Sequence, residues 1–294
     1  QTTQSLQQGV QQTLQGDLSQ NQAITGQDEI AQTARAFEHM NQSWSALVAR
    51  VRSETSVVLQ IAQTLSIDTQ SLQQRSDDQA HYLTQTSTAV DDFFARIERE
   101  LGPVEALVNN AARVPGGPED EARRSRHYAY LTTPEPRRSL QFTSTMSDAE
   151  WLKYWDVNVH GLFYCTRAAL RQMEPRSYGR IVNIASLAGH SSLSAHSPHY
   201  SASKGAVIAF TRAVGAEVAG ANIFVNAIAP GGVATEMFEA YLGKLAPEAQ
   251  AALFQMSPAG RLGTLGEYAG LALYLAGDNH YLAGQVISPN GGMI

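Results

Sequence analysis

The first third of the chain has apolar residues at positions separated alternately by four and three residues. From Ile30 to Val90 these steps reach eighteen positions, of which twelve are apolar, and the register never shifts. Such a heptad repeat is typical of a coiled coil, in which two helices bury one shared seam. A helix of about 60 residues would be about 90 Å long and could not bury that stripe alone. The pattern therefore predicts a long helix that pairs with another helix, most simply that of a second copy.

A short helix and a connector are predicted before this long helix. Leu6, Val10 and Leu14 form a helical stripe that ends at Gly16, and an extended stretch leads to the acidic start of the long helix at residue 28. Together with the segments 37–41 (FEHMN) and 72–80 (LQQRSDDQA), this order resembles the HAMP signalling module of bacterial chemoreceptors. The alternative is a generic glutamine-rich coiled coil without that ancestry.

Beyond residue 100, short apolar runs alternate with segments of helical pattern, which predicts βαβ units, a parallel sheet and an α/β fold. Strands are predicted at 106–108, 180–186, 223–229 and 285–288, and helices at 147–173, 202–219 and 267–276. Composition changes near the same place, since residues 1–90 hold 19 of the 24 glutamines and none of the 11 prolines. We therefore expect two domains, a helical segment at 1–92 and a compact domain at 93–294.

Charge and cysteine content exclude several classes of protein. The 294 residues carry a net charge of −6, which argues against nucleic acid or an anionic membrane as the main partner. No apolar run reaches the roughly 18 residues that span a bilayer. The single cysteine, Cys165, excludes an internal disulfide framework and suits a reducing compartment, so we expect a cytoplasmic protein. No metal site is expected, because His160 and His199 lack metal-ligand spacing.

Candidate chemistry lies where predicted strands end. Tyr200 and Lys204 are four residues apart and project from one face of a helix. A nearby ammonium group stabilises phenolate, so this pair is expected to lower the pKa of Tyr200 and to suit it to proton transfer. Ser186, at a neighbouring strand end, could hydrogen-bond the same reacting oxygen. Ligands bind at such strand ends in doubly wound sheets.

Residues from about 93 to 294 resemble the short-chain dehydrogenase/reductase family. The resemblance rests on 109–112 (NNAA), 158–161 (NVHG), 181–186 (IVNIAS), 200–204 (YSASK), 226–231 (NAIAPG) with Thr235, and 284–292. It implies a Rossmann-like doubly wound sheet and hydride transfer between a nicotinamide cofactor, NAD or NADP, and a ketone or secondary alcohol.

The resemblance also implies a role for each matching residue. Tyr200 would be the general acid/base, Ser186 would orient the substrate carbonyl, and Asn158 would anchor a proton-relay water. Lys204, together with Tyr200, would hold the nicotinamide ribose. The other cofactor contacts would come from Asn110, Ala111, Pro230, Gly231 and Thr235.

The first half of that family's fold has no counterpart in the pattern. Neither G-x-x-x-G-x-G nor G-x-G-x-x-G occurs, and a helix stands where this phosphate-binding turn belongs. The domain would then lack its first strands and leave 106–108 as a sheet edge, so we expect impaired dinucleotide binding. The stretch from Arg113 to Met146 is expected to be a lid, an interface loop or a disordered insertion, with the Arg123–Arg126 run as a solvated loop.

Three functions remain open from the sequence. The first is an NAD(P)-dependent oxidoreductase, made a homo-oligomer by the coiled coil and the reductase helices, that acts on a small neutral carbonyl or alcohol. The second is a chemoreceptor-like signalling or dimerisation protein whose reductase half is a non-catalytic scaffold. The third is a chimeric junction without a joint function, because one family's start and the other's end are both missing.

Overall fold

The computed structural model describes residues 2–16, 28–134, 136–245, 247–255 and 257–294. The chain divides into two compact units, residues 1–80 and residues 81–294. The extended stretch predicted before the long helix lies outside the described residues. None of the described helices combines the length and the apolar character needed to cross a membrane.

The first unit contains α1 (Thr2–Leu14) and the first part of α2 (Glu29–Leu101), so the short and the long helix are both confirmed. The Asp28 carboxylate accepts a hydrogen bond from the backbone N–H of Ala31 at 2.9 Å and so satisfies one free donor of the first turn. Asn41 Nδ2 donates to Thr13 Oγ1 at 2.8 Å, which joins the two helices. Ala31 is fully buried in this region.

The heptad seam of α2 is exposed over most of the first unit. The exposed fraction is 57% for Trp44, 52% for Val51, 63% for Val58 and 64% for Leu65. Within the described residues these side chains therefore form a helical stripe that is still largely accessible to solvent.

The second unit is built on a parallel sheet with the strand order β1-β2-β3-β4. The strands are β1 (Ala106–Asn109), β2 (Gly179–Ile184), β3 (Ile223–Ile228) and β4 (Val286–Ile287), each within two residues of its predicted bounds. Ile181 pairs with Leu107 on one side and with Val225 on the other. Over the described part of the chain β1 is an edge strand, and Val108 is 45% exposed. The α/β class and the parallel sheet are thus confirmed.

Helices follow the strands in the order that the pattern predicts. The remaining helices are α3 (Pro118–Thr132), α4 (Asp148–Trp155), α5 (Leu162–Met173), α6 (Pro198–Val218), α7 (Glu236–Leu242), α8 (Pro247–Gln255) and α9 (Leu265–Ala276). The Ser147 hydroxyl caps α4 by accepting from the backbone N–H of Glu150. A π-helical turn, Asp156–Gly161, joins α4 to α5. Helix α6 begins four residues before the predicted start, because Pro198 occupies its first turn.

Both faces of the sheet are covered by helices. Ile181 and Val182 point to opposite faces, because side chains alternate along a strand. On the Ile181 face the core contains Phe94 of α2 and Met173 of α5. On the Val182 face it contains Leu275 of α9. Each of these side chains is less than 7% exposed, so the second unit closes its own core.

The end of α2 belongs to this core. Phe94 is part of the core on the Ile181 face, and Val90 packs against that core. Arg171 of α5 lies 3.0 Å from the Asp91 carboxylate. The second compact unit therefore begins at His81, whereas the domain division predicted near residue 92 falls inside α2.

The stretch from Arg113 to Met146 contains a helix, α3, that the sequence pattern did not predict. The expectation of a solvated arginine loop is wrong, because the side chain of Arg123 is only 17% exposed. Its guanidinium pairs with Asp120 at 2.7 Å and with Glu150 of α4. Apolar periodicity is weak in α3. Polar and aromatic contacts to other elements hold this helix in place instead.

Candidate active site

Ser186 and Tyr200 meet at the carboxyl end of β2. The Ser186 hydroxyl accepts from the backbone N–H of Ala188 at 3.2 Å. It also lies close enough to the hydroxyl of Tyr200, in the first turn of α6, to lower the pKa of that tyrosine. Gly189 permits this approach, because a Cβ there would lie 2.7 Å from the carbonyl carbon of Lys204. The turn after Ser186 therefore packs directly on the helix that carries Tyr200.

The electrostatics of Tyr200 differ from the sequence-based expectation. Burial raises the pKa of Tyr200, and the interaction with Ser186 opposes this only in part. The expectation of a lowered pKa is wrong here, because burial is the larger effect on the Tyr200 hydroxyl. The Lys204 Nζ lies 5.9 Å from the centre of the Tyr200 ring. Tyr200 therefore holds its proton at neutral pH.

Lys204 is held one turn further along α6. Its Nζ donates to the carbonyl oxygen of Ile184 at 2.6 Å, and burial lowers its pKa to about 8. The ammonium form consequently predominates at pH 7 and decreases as the pH rises through 8. This contact fixes the ammonium group, which lies 5.9 Å from the centre of the Tyr200 ring, at the end of β2.

Asn158 lies in the π-helical turn and is buried, at 2% exposed. Its Nδ2 donates to the Arg113 carbonyl at 3.0 Å and to Ser203 Oγ at 2.9 Å, and its Oδ1 accepts from the Arg113 N–H at 2.7 Å. Both amide protons are used, and one lone pair of Oδ1 remains. Asn158 thus ties the segment after β1 to α6, and π-helical turns are frequent at functional sites.

The predicted nicotinamide-side residues lie at the carboxyl end of β3. The Pro230 carbonyl accepts from the Leu187 N–H at 2.9 Å, which joins the segments after β2 and β3. Gly231 lies against the segment after β4, where a Cβ would come within 2.8 Å of Asn290. Thr235 caps α7 by accepting from Phe238 N at 3.3 Å.

The predicted adenosine-side residues, Asn110 and Ala111, are exposed at the end of β1. Their neighbour Asn109 has a structural role, since its Nδ2 donates to Thr166 Oγ1 at 3.1 Å and to Asn183 Oδ1 at 2.9 Å. The structure therefore brings Asn158, Ser186, Tyr200 and Lys204 together around the start of α6. Asn110 and Ala111 lie at the end of the edge strand, β1.

A charged cluster that the sequence did not predict lies beside Tyr200. Asp120, Glu150 and His199 offer ligand atoms within 4.8 Å of one another, although spacing along the chain gave no sign of this. His199 is fully buried, its Nε2 lies 3.5 Å from Glu150 Oε1, and burial lowers its pKa. The Arg123 guanidinium is hydrogen-bonded to both carboxylates and supplies the cluster's cation. The cluster joins α3, α4 and α6, and the proximity of His199 to Tyr200 was its only sequence signal.

A cavity of about 330 Å³ opens next to the segments that follow β2 and β3. It reaches Leu187 and Gly231, which directly follow Ser186 and Pro230. Aromatic side chains from α3, α7 and α8 form much of its wall: Tyr128, Phe238 and Phe254.

Known proteins match this architecture over the greater part of the chain. A family model described as short chain dehydrogenase matches residues 46–244. The acetoacetyl-CoA reductase of Shinella zoogloeoides is 34% identical over 199 residues, which cover 67% of this chain and 71% of the relative. The 3-oxoacyl-[acyl-carrier-protein] reductase FabG of Haemophilus influenzae is 31% identical, with 70% and 73% covered.

Solved structures show the same similarity. ElxO with NADP bound matches with a TM-score of 0.58 and 27% identity, covering 70% of this chain and 74% of that one. A putative gluconate dehydrogenase from Agrobacterium tumefaciens also gives a TM-score of 0.58, with 31% identity and coverages of 70% and 72%. The chain belongs to the short-chain dehydrogenase family.

Proposed function

We propose that the chain interconverts a ketone and a secondary alcohol, with Tyr200 as the group that gives or takes the proton. The observation that carries the proposal is the proximity of the Ser186 and Tyr200 hydroxyls, with Lys204 one helical turn away. Two hydroxyl donors at one strand end can both reach a single carbonyl oxygen, which polarises the carbonyl toward addition.

In the reducing direction, the proton of the Tyr200 hydroxyl passes to the carbonyl oxygen as the C=O π bond breaks. Ser186 donates a hydrogen bond to the same oxygen and fixes its position. The nicotinamide cofactor, when bound, supplies the hydride to the carbonyl carbon. Burial raises the pKa of Tyr200, so its hydroxyl is protonated at neutral pH and can donate the proton.

Two further residues support this step. The Lys204 ammonium, whose Nζ donates to the Ile184 carbonyl, would hold the nicotinamide ribose. The free lone pair of Asn158 Oδ1 is available to a water that returns a proton to the site. Pro230, Gly231 and Thr235 would flank the nicotinamide, and Asn110 and Ala111 would lie toward the adenosine.

We also propose that NAD or NADP binds weakly. The residues around Tyr200 and Lys204 fit the nicotinamide half of such a cofactor, since a buried lysine and two hydroxyls face one strand end. The pyrophosphate half has no matching turn: β1 is an edge strand within the described residues, and the chain contains no pair of glycines spaced G-x-G. Such a turn lets backbone N–H groups approach the phosphates closely.

The catalytic proposal is tested by ketone-dependent consumption of NADH or NADPH, supplied at millimolar concentration. Tyr200→Phe removes the proton donor and is expected to lower the rate by about 10²-fold or more. Tyr281→Phe is the matched control, because Tyr281 is 99% exposed, and it should leave the rate unchanged. Equal rates in the two variants would refute the assignment of Tyr200.

The cofactor proposal has its own measurement, calorimetric titration with NADH and NADPH. No saturation is expected in the micromolar range. Micromolar binding at one site per chain would overturn weak binding and leave the role of Tyr200 intact.

A second candidate function belongs to the helical segment, as a dimerisation or HAMP-like signalling element beside a non-catalytic reductase scaffold. It is supported by the exposed heptad seam, which a second copy would bury as a coiled coil. Sedimentation of the full chain should show concentration-dependent dimers that Leu65→Asp weakens and the off-seam control Gln63→Asp does not. A monomer at every concentration would contradict pairing through this seam. If the DNA that encodes residues 85–100 joined two unrelated coding sequences, that finding would instead favour a chimeric junction.

A further inference from the structure

The cavity beside Ser186 has one wall that comes from the stretch between β1 and α4. Tyr128 of α3 lines the cavity together with Phe238 of α7 and Phe254 of α8. The cavity begins at Leu187 and Gly231, so a molecule whose carbonyl lies at Ser186 would direct its attached group into this space. α3 is thus part of the site rather than a distant insertion.

Contacts to several elements hold α3 in this position. The Arg124 guanidinium lies 4.7 Å from the centre of the Tyr241 ring of α7. Lys244 Nζ lies 3.3 Å from Glu121 Oε1. These two contacts join α3 to α7 and to the turn that follows it.

A second set of contacts joins α3 to the segment before α6. His127 Nδ1 lies 3.3 Å from His196 Nδ1, and both rings are buried. The Arg123 guanidinium reaches Glu150 of α4. Because α3 is held from both sides, Tyr128 has a defined position and limits the size of the cavity.

The chemistry of the lining selects an uncharged, apolar group. The charged side chains among the described lining residues are Arg261 and Glu267. They are paired through two hydrogen bonds of 2.9 and 2.7 Å, so neither offers a free charge to a ligand. The remaining wall is largely aromatic and aliphatic, which favours burial of apolar surface.

The volume sets the size of that group. An engineered apolar cavity of about 150 Å³ accepts benzene. A cavity of about 330 Å³ therefore has room for a ring with a short substituent or for a branched chain of similar bulk.

We propose that this cavity binds the apolar, ring-sized group attached to the reacting carbonyl, and that Tyr128 determines how large this group can be. The statement that this group carries the reacting carbonyl rests on the proposed function. The size and polarity of the site rest on the lining residues alone.

Binding of neutral ketones to the full chain tests the proposal without requiring turnover. Saturation-transfer NMR would compare acetophenone with acetone, which lacks the ring, and with 4-acetylbenzoate, which adds a negative charge. Acetophenone is expected to bind at least 10-fold more tightly than either. Equal or tighter binding of 4-acetylbenzoate would overturn the polarity that we assign to the cavity.

Substitutions at Tyr128 test its role as the size limit. Tyr128→Trp should weaken acetophenone about 10-fold, Tyr128→Phe should keep its affinity, and Tyr128→Ala should admit 2-acetylnaphthalene. Tyr130→Trp is the control on the same helix, since Tyr130 does not line this cavity. Unchanged ligand preference in folded Tyr128→Trp and Tyr128→Ala would refute the proposal.

The outcomes separate this inference from the proposed function. Selective binding without any turnover would count against the proposed catalysis and leave the cavity assignment intact. If turnover occurred at a rate that did not depend on ring size or on substitutions at Tyr128, this would count against the cavity assignment and leave the proposed catalysis intact.

Discussion

The two compact units differ in how far their apolar side chains are exposed to solvent. In the first, Val58 and Leu65 are each more than 60% exposed although they follow a regular heptad repeat. In the second, Ile181 and Val225 are fully buried between helices on both faces of the sheet. The comparison shows that a heptad repeat can specify a long helix while most of its apolar side chains stay exposed within the chain. A βαβ sequence specifies strands, helices and their common core together.

The largest test of this contrast is a matched pair of core and seam truncations. Ile181→Ala should lower the free energy of unfolding of the second unit by about 2–5 kcal/mol, because it leaves a cavity in a closed core. Leu65→Ala should change it by less than about 0.5 kcal/mol in dilute protein, since Leu65 is exposed in the single chain.

Urea unfolding, followed by the fluorescence of Trp151 and Trp155, measures both variants. A large loss with Leu65→Ala that grows with protein concentration would show a seam buried by a second copy and would sharpen the contrast. A negligible loss with Ile181→Ala would break it.

Predictability from the sequence follows the same division. The strands were located to within two residues, because each is a short apolar run with a clear end, as at Asn109. The long helix was located from its repeat, although its partner could not be read from a single chain. Tyr200, Lys204 and Ser186 were selected from their spacing and from the predicted strand end, and family resemblance added Asn158. The structure brings all four together at the start of α6.

What the sequence missed depends on contacts between distant segments. Helix α3 has little apolar periodicity, and its available signals were Pro118 at the first turn and the acidic residues that follow. The cluster around Glu150 unites three separate elements, so no spacing along the chain reveals it. The pKa of Tyr200 was predicted in the wrong direction, because burial outweighs the interaction with Ser186 and only the fold determines burial.

Buried histidines should make stability depend on pH in the second unit but not in the first. Burial lowers the pKa of His196 to about 3, with smaller contributions from Arg124 and His127. In the unfolded chain His196 takes up a proton near pH 6.5, whereas in the folded chain it does so only near pH 3. Stability therefore falls as the pH drops below 6.5 toward 3. The loss from this group between pH 7.5 and pH 5 should be at most about 2 kcal/mol.

Urea midpoints at the two pH values measure this effect. His196→Asn should reduce the loss, whereas His39→Asn, at an exposed position of α2, should not. Asp120 and Arg123 also face His196, so a residual slope is expected in every variant. An identical slope for His196→Asn and the unsubstituted chain would contradict the prediction.

Surface ion pairs should give the smallest effect and should not distinguish the units at all. Arg50 and Glu54 form an i,i+4 pair at 2.8 Å on α2, and Arg171 meets Asp91 at 3.0 Å in the second unit. Both arginine side chains are more than half exposed, so solvent and salt screen each pair in the same way. Arg50→Gln and Arg171→Gln should each cost about 0.2–1 kcal/mol at low salt and almost nothing at 1 M salt. A cost for Arg171→Gln that persists at 1 M salt would mean that the pair between Arg171 and Asp91 is shielded from the solvent ions, unlike the pair in the first unit. The contrast between the units would then extend from their apolar residues to their charges.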